Sequence, residues 1–258
     1  MLPTLKIQSY SIPCKAILFD KDGTLLDFME LWGQWAETLM GLLQDYLSSI
    51  GIVNRRLEAL STLLGISYDV NGRVVDYDRT GPLAMGTEEE ITALLAWQLY
   101  SVGITWDKAL KLVAKFSANA LAEVKEHRPA KPIAGIDGLL KSCHSAGILL
   151  GVVTSDRTSE AQEHLEWVGL APYFGSFVGR DRVNLGKPDP EMVTLACSEL
   201  GISPADVIVI GDSNVDMSMG KEAGVMMTIG LEPGGNGASY LHDADILIKD
   251  YWSIVVET

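Results

Sequence analysis

The fold class the sequence predicts is a Rossmann-like, doubly wound α/β core with a parallel sheet, interrupted by an inserted, mainly α-helical cap domain. Three observations predict it. Short apolar runs, "AILF", "ILLGVV" and "DVIVIG", lead into Asp20, Thr154 and Asp212 respectively. Runs this short, β-branched and nearly continuous, suit strands buried on both faces of a parallel sheet. Helical patterns separate the later runs, as doubly wound sheets require. Finally, about a hundred residues between the first and second runs repeat their apolar positions at helical spacing.

Taken in order, Ala16–Phe19 forms the first strand and delivers Asp20 at its carboxyl end. From Phe28 to Ile50 the apolar positions, among them Leu31, Trp32, Trp35, Leu39 and Leu43, form one helical stripe that reads as packing. In "SYDVNGRVVDYD", Asn71-Gly72 between β-prone residues predicts a hairpin near 67–78. Thr87 and Glu90 predict a capping box ahead of "ITALLAWQLY", and a further helix is expected from Trp106 to about Glu126. The boundaries that follow are a core of residues 1–26 and 128–258 and a cap of 27–127, placed where it could act as a lid over the strand ends. Beyond the cap, "SEAQEHLEWVG" predicts a helix. So does "PDPEMVTLACSELG", with Asp189 as N-cap and Pro190 at the first helical position. Shorter strands are expected at "SFVG", "MMTIG" and "DILIK". Ligands of such sheets bind beyond the carboxyl ends of the strands, where Asp20, Thr154 and Asp212 all lie.

Composition removes several function classes. A chain of 258 residues with 47% hydrophobic content can bury a large core, alone or with a smaller second domain. A formal net charge of −14 opposes binding to nucleic acid or to an anionic membrane. A phosphorylated substrate would therefore need a local cation, either a metal ion or a placed lysine. Cys14, Cys143 and Cys197 are far apart and lack zinc-ligand spacing, so buried free thiols in a reducing compartment are expected. The first twenty residues show no secretory pattern and the longest apolar runs are too short to cross a bilayer, so a soluble cytoplasmic protein is expected. The apolar cap helices leave monomer and homodimer equally open. His127, His144, His164 and His242 show no ligand spacing and receive no chemical role.

"AILFDKDGTLLDF" admits two readings. A calcium loop beginning at Asp20 needs glycine at its sixth position and glutamate at its twelfth, where this chain has Leu25 and Leu31. The segment before Asp20 is also strand-like rather than helical, so the calcium loop fails. As a strand-end nucleophile, Asp20 would face repulsion from a phosphate dianion, which a divalent cation held by hard oxygen ligands removes. "GDSNVDM" supplies Asp212 and Asp216, four residues apart at another strand end.

Four motifs in order, "FDKDGTLLD", "VVTSD", "GKPDP" and "GDSNVDM", carry a resemblance to the haloacid dehalogenase superfamily, near its phosphoglycolate phosphatase-like branch. They span the α/β part, about three-fifths of the chain. The resemblance implies magnesium as cofactor, with Asp20, Asp22, Asp212 and Asp216 as the metal set, Asp22 through its backbone carbonyl and Asp216 through water or by orienting the others. It implies that Asp20 attacks phosphorus to give an aspartyl-phosphate, while Asp22, with a pKa raised once substrate is bound, protonates the leaving oxygen and later activates water. Thr154 and the Ser155 N–H would hold the phosphoryl group, Gly23 would shape the loop, and Lys187 would neutralise charge. Arg157 and Arg79 are candidate substrate contacts, weighed against the reading of each as an exposed surface arginine. Aspartate at position 22 fits phosphatases and phosphomutases, which must protonate an alkoxide, so dehalogenation is not expected. The expected function is hydrolysis of a small phosphate ester. The alternatives are a phosphomutase and a non-catalytic phosphate-sensing protein.

Overall fold

The computed structural model describes residues 2–52, 62–232 and 239–258. It divides into two compact units, one of Met1–Asp27 with Ala130–Thr258 and one of Phe28–Pro129. In chain order, β1 (Thr4–Ile7), β2 (Tyr10–Pro13) and β3 (Ala16–Phe19) precede the second unit, which holds α1 (Gln34–Ser49), β4 (Ile66–Tyr68), β5 (Val74–Tyr77), α2 (Pro82–Met85), α3 (Glu88–Ser101) and α4 (Trp106–His127). The first unit resumes with α5 (Ile136–Ser145), β6 (Leu149–Val153), α6 (Thr158–Trp167), β7 (Ser176–Val178) and α7 (Glu191–Leu200). It ends with β8 (Val207–Gly211), α8 (Asn214–Ala223), β9 (Met227–Leu231), β10 (Ile246–Ile248) and β11 (Ile254–Glu257).

The main sheet has six strands in the order β10-β9-β8-β3-β6-β7, and every neighbouring pair is parallel. Every residue of β3 and β8 is buried, which is why both read as continuous apolar runs. Successive side chains point to opposite faces. Ile17, Phe19, Ile208 and Ile210 enter one apolar cluster, and Ala16, Leu18, Val207 and Val209 enter the other. Strand β3 pairs with β8 on one side and β6 on the other, so the ends of these three strands face the same crevice at the point where strand order reverses.

A second, antiparallel sheet of order β11-β1-β2 is absent from the sequence reading. Thr4 lies opposite Glu257, a pairing between the two ends of the chain that no local pattern announces. The C-terminal segment also reaches the site. Buried Tyr251 donates its hydroxyl proton to the Thr24 carbonyl at 2.9 Å, and its ring meets Phe19 edge-on with centroids 6.4 Å apart.

In the second unit, β4 and β5 form the expected antiparallel hairpin, with a bulge between Ser67 and Tyr68. The Thr87–Glu90 capping box is present: Thr87 N–H donates to Glu90 Oε2 at 2.8 Å and Glu90 N–H to Thr87 Oγ1 at 3.2 Å. The helical stripe from Phe28 to Ile50 is present and buries Leu31, Trp35, Leu39 and Leu43, with Met29–Gly33 as a π-helical turn leading into α1. Helix α4 covers the expected span, from Trp106 to His127. One expectation needs correction: α7 begins at Glu191 with Pro190 as its N-cap, one residue later than expected, although the Asp189 carboxylate accepts the Glu191 N–H at 2.9 Å as a capping side chain does.

All three cysteines are free and buried, and burial pushes the Cys14 and Cys143 thiols up to about 12. Among the described residues, no helix is long and apolar enough to cross a membrane. Removing the Tyr251 hydroxyl takes a hydrogen bond from the carbonyl of buried Thr24. Tyr251→Phe should therefore lower unfolding free energy by about 1–3 kcal/mol, measured by urea denaturation.

Candidate active site

Parallel pairing brings the acidic residues together. The Asp20 N–H donates to the Ile210 carbonyl at 2.9 Å, so the β3–β8 ladder extends one residue past β3. Asp212 follows β8 directly, and Asp216 lies in the first turn of α8. Asp20, Asp212 and Asp216 each present one carboxylate oxygen, all within 4.8 Å of one another. Lys187 enters from the loop before α7 and bridges two of them, 2.5 Å from Asp20 Oδ1 and 2.6 Å from Asp216 Oδ1. The other oxygen of Asp216 accepts from the Ser213 hydroxyl at 2.5 Å and the Ser213 N–H at 3.2 Å. Asp216 is thus fixed by protein donors on both oxygens.

Two glycines make this approach sterically possible. Gly23 sits at φ +76°, and a Cβ there would fall 2.0 Å from Asp212 Oδ2. A Cβ on Gly211 would fall 2.5 Å from the Cβ of Asp216.

The loop carrying Lys187 is itself tied down. Arg180 donates to the carbonyls of Val183 and Asn184 at 2.9 and 3.2 Å. One oxygen of Glu191 accepts the N–H groups of Asn184 and Leu185, both at 2.9 Å. The peptide bond between Lys187 and Pro188 is cis.

Thr154 is buried directly after β6. Its N–H donates to Val178 O at 3.0 Å and its hydroxyl accepts the Asp156 N–H at 3.2 Å. Ser155 is exposed beside it, and exposed Arg157 is the N-cap of α6. Asp22 turns its Oδ1 to Lys21 Nζ, 2.7 Å away. Arg79 belongs to the second unit, where it donates to Asp76 Oδ1 at 2.5 Å and Tyr77 O at 2.7 Å and covers the Tyr77 ring at 4.4 Å.

Burial is the dominant electrostatic influence. It raises Asp20 from an ordinary 3.8 to about 7, with Lys187 opposing and Asp216 and Asp22 adding to the rise. Burial, then Asp20 and Asp216, hold Asp212 well above the usual carboxylate range. Burial disfavours the Lys187 ammonium, yet Asp20 and Asp216 outweigh it and leave its pKa above that of an ordinary lysine. Three carboxylates around one ammonium leave a deficit of positive charge. Their donors are all hard oxygens, and the cradle behind Asp212 is one a Cβ would fill, so the residues present fit a divalent cation of the magnesium type.

Sequence reading passed over Lys21, Asp156, His164, Arg180, Glu191 and Ser213. One signal was available, because "DKD" ending an otherwise apolar strand places a lysine where it must be buried and paired.

Comparison with known proteins agrees with this geometry. The family model for haloacid dehalogenase-like hydrolases matches residues 14–224, and the chain belongs to that family. An N-acetylmuramic acid 6-phosphate phosphatase of Pseudomonas aeruginosa is 30% identical over 212 residues, which is 81% of this chain and 78% of that protein. A phosphoglycolate phosphatase of Salmonella paratyphi A is 26% identical over 239 residues, 92% of this chain and 89% of its own. Among solved structures, the HAD phosphatase of Thermococcus onnurineus superimposes with a TM-score of 0.63 at 22% identity, covering 92% of this chain and 94% of that one, which speaks for the fold.

The raised pKa of Asp20 has a consequence for stability. A carboxyl that holds its proton to about 7 when folded, against 3.8 ordinarily, makes the folded state bind more protons. Its contribution is complete below about 4 and is lost as pH rises to about 7. In a chelator, the melting temperature should fall between pH 5 and pH 8, and Asp20→Asn should flatten that fall in calorimetric scans.

Proposed function

We propose that this chain, a phosphoric monoester hydrolase, is a magnesium-dependent phosphatase of a small phosphorylated metabolite, working through an aspartyl-phosphate on Asp20. The observation that carries the reading is the convergence of Asp20, Asp212, Asp216 and Lys187 at the carboxyl ends of adjacent parallel strands.

Asp20 and Asp212 would hold the metal, with the Asp22 carbonyl, while Asp216 orients the set. When bound, magnesium supplies the positive charge that lets a phosphate dianion approach a carboxylate. One Asp20 oxygen forms the bond to phosphorus as the bond from phosphorus to the ester oxygen breaks. Asp22 gives its proton to that departing oxygen, so the leaving group departs as an alcohol. In the second half, Asp22 takes a proton from water, the hydroxide oxygen bonds to phosphorus, and Asp20 is released with inorganic phosphate. Lys187, held charged by Asp20 and Asp216, counters the negative charge that gathers on the transferring group. Thr154 and the Ser155 N–H hold its remaining oxygens, while Gly23 lets the loop after β3 approach Asp212.

Both relatives described above are named for phosphate monoesters of organic acids, which supports an acidic metabolite as substrate. Arg79 and Arg157 are proposed as contacts for its anionic tail. At Arg79 such a tail would compete with Asp76 for the guanidinium. Choice of leaving group is assigned to the inserted unit, since the core groups serve only phosphoryl transfer.

Phosphate release from a panel of monoesters, including phosphoglycolate, sugar phosphates and 4-nitrophenyl phosphate, should require magnesium and vanish in chelator. Asp20→Asn should lose at least about a thousandfold in kcat while keeping its circular dichroism spectrum. Turnover close to that of the unaltered enzyme would overturn the mechanism. Isomerised sugar phosphate with no free phosphate would establish a mutase instead.

A further inference from the structure

Lys21 has no part in phosphoryl transfer as set out above, yet its side chain is fully buried beside the groups that do. A buried ammonium is unfavourable unless its N–H groups are met. Lysine offers three such donors and no acceptor. Three acceptors surround this one: Asp22 Oδ1 at 2.7 Å, Asp156 Oδ2 at 2.9 Å and His164 Nδ1 at 3.2 Å. Because the ammonium only donates, His164 accepts at Nδ1 and carries its own proton on Nε2.

The two anchors are rigidly placed. His164 is fully buried on α6 and its ring lies 4.7 Å from that of Trp167. Asp156 is fixed by its N–H to the Thr154 hydroxyl at 3.2 Å, in the loop after β6. The tripod therefore ties three separate pieces of the core, the β3 loop, the β6 loop and α6, to one oxygen of Asp22.

We propose that Lys21, clamped by Asp156 and His164, is a positioning residue that decides which oxygen of Asp22 exchanges protons with the substrate. With Oδ1 accepting from a permanent donor, a proton on Oδ1 would set O–H against N–H. The transferable proton is consequently confined to Oδ2, and the carboxyl is prevented from rotating. The inference rests on the phosphatase reading given above and adds a device for aiming the acid.

The test uses two aryl phosphates of similar shape. 4-Nitrophenolate leaves readily without a proton, whereas phenolate depends more on the acid. In Lys21→Met, kcat/KM for phenyl phosphate should fall at least about tenfold further than for 4-nitrophenyl phosphate, within the range that acid catalysis supplies. Asp22→Asn should show the same split. Should Lys21→Met leave Asp156 buried without its counter-charge and fail to fold, the double variant Lys21→Met/Asp156→Asn removes the pair together and should give the same split. Parallel losses on both substrates, or no loss on either, would overturn the inference and leave the phosphatase reading standing. Asp20→Asn reports on that reading separately, and its retained turnover would overturn both.

Discussion

Crowding of carboxylates in a buried crevice is the constraint on which the rest of this molecule depends. Asp20, Asp212 and Asp216 bring oxygens within 4.8 Å of one another at positions largely withdrawn from water. Without compensation, such groups would hold protons and lose the negative charge that their proposed roles as nucleophile and ligands require. Lys187 meets part of this demand by bridging Asp20 and Asp216, and Lys21 meets a separate one at Asp22 and Asp156. Two buried lysines are thus spent on keeping carboxylates in place. What remains unbalanced around Asp20 and Asp212 is a demand that a divalent cation would satisfy.

The parallel sheet makes that crowding possible. Strands β3 and β8 run side by side in register, with Phe19 opposite Ile210, so Asp20 leaves β3 beside Gly211, one residue before Asp212 leaves β8. Their burial on both faces fixes the strands, which leaves the loops beyond them little freedom. Gly23 and Gly211 then let backbone and carboxylates approach to distances no side chain would permit. Even the far end of the chain participates, because Tyr251 closes onto the Thr24 carbonyl from the C-terminal segment.

Membership of the haloacid dehalogenase-like hydrolases follows from the match over residues 14–224 and accords with this arrangement. The proposed metal set and the proposed proton-transferring carboxyl have different requirements. The former needs unbalanced negative charge, the latter an oriented oxygen. In the proposed reading the two are served by different lysines, Lys187 from the segment before α7 at Asp20 and Asp216, and Lys21 from the loop after β3 at Asp22.

The sequence by itself determined the strands that carry the candidate site, since doubly buried strands must be continuous apolar runs and their ends are marked by Asp20, Thr154 and Asp212. It also determined the hairpin around Asn71-Gly72 and the Thr87–Glu90 cap, because both are local and read from adjacent residues. Local patterns had less reach elsewhere. The pairing of Thr4 with Glu257 joins residues at opposite ends of the chain, and the break between Met29–Gly33 and α1 lies inside an unbroken apolar stripe. His164 looked like any helical histidine, and Asp156 like a loop aspartate after Thr154. Only the tertiary structure decided that both would meet at Lys21, because that meeting depends on β3 and β6 lying side by side and on α6 packing near their ends. Periodicity tells which face of an element is buried. Which charged groups share the buried space depends on how the elements pack together.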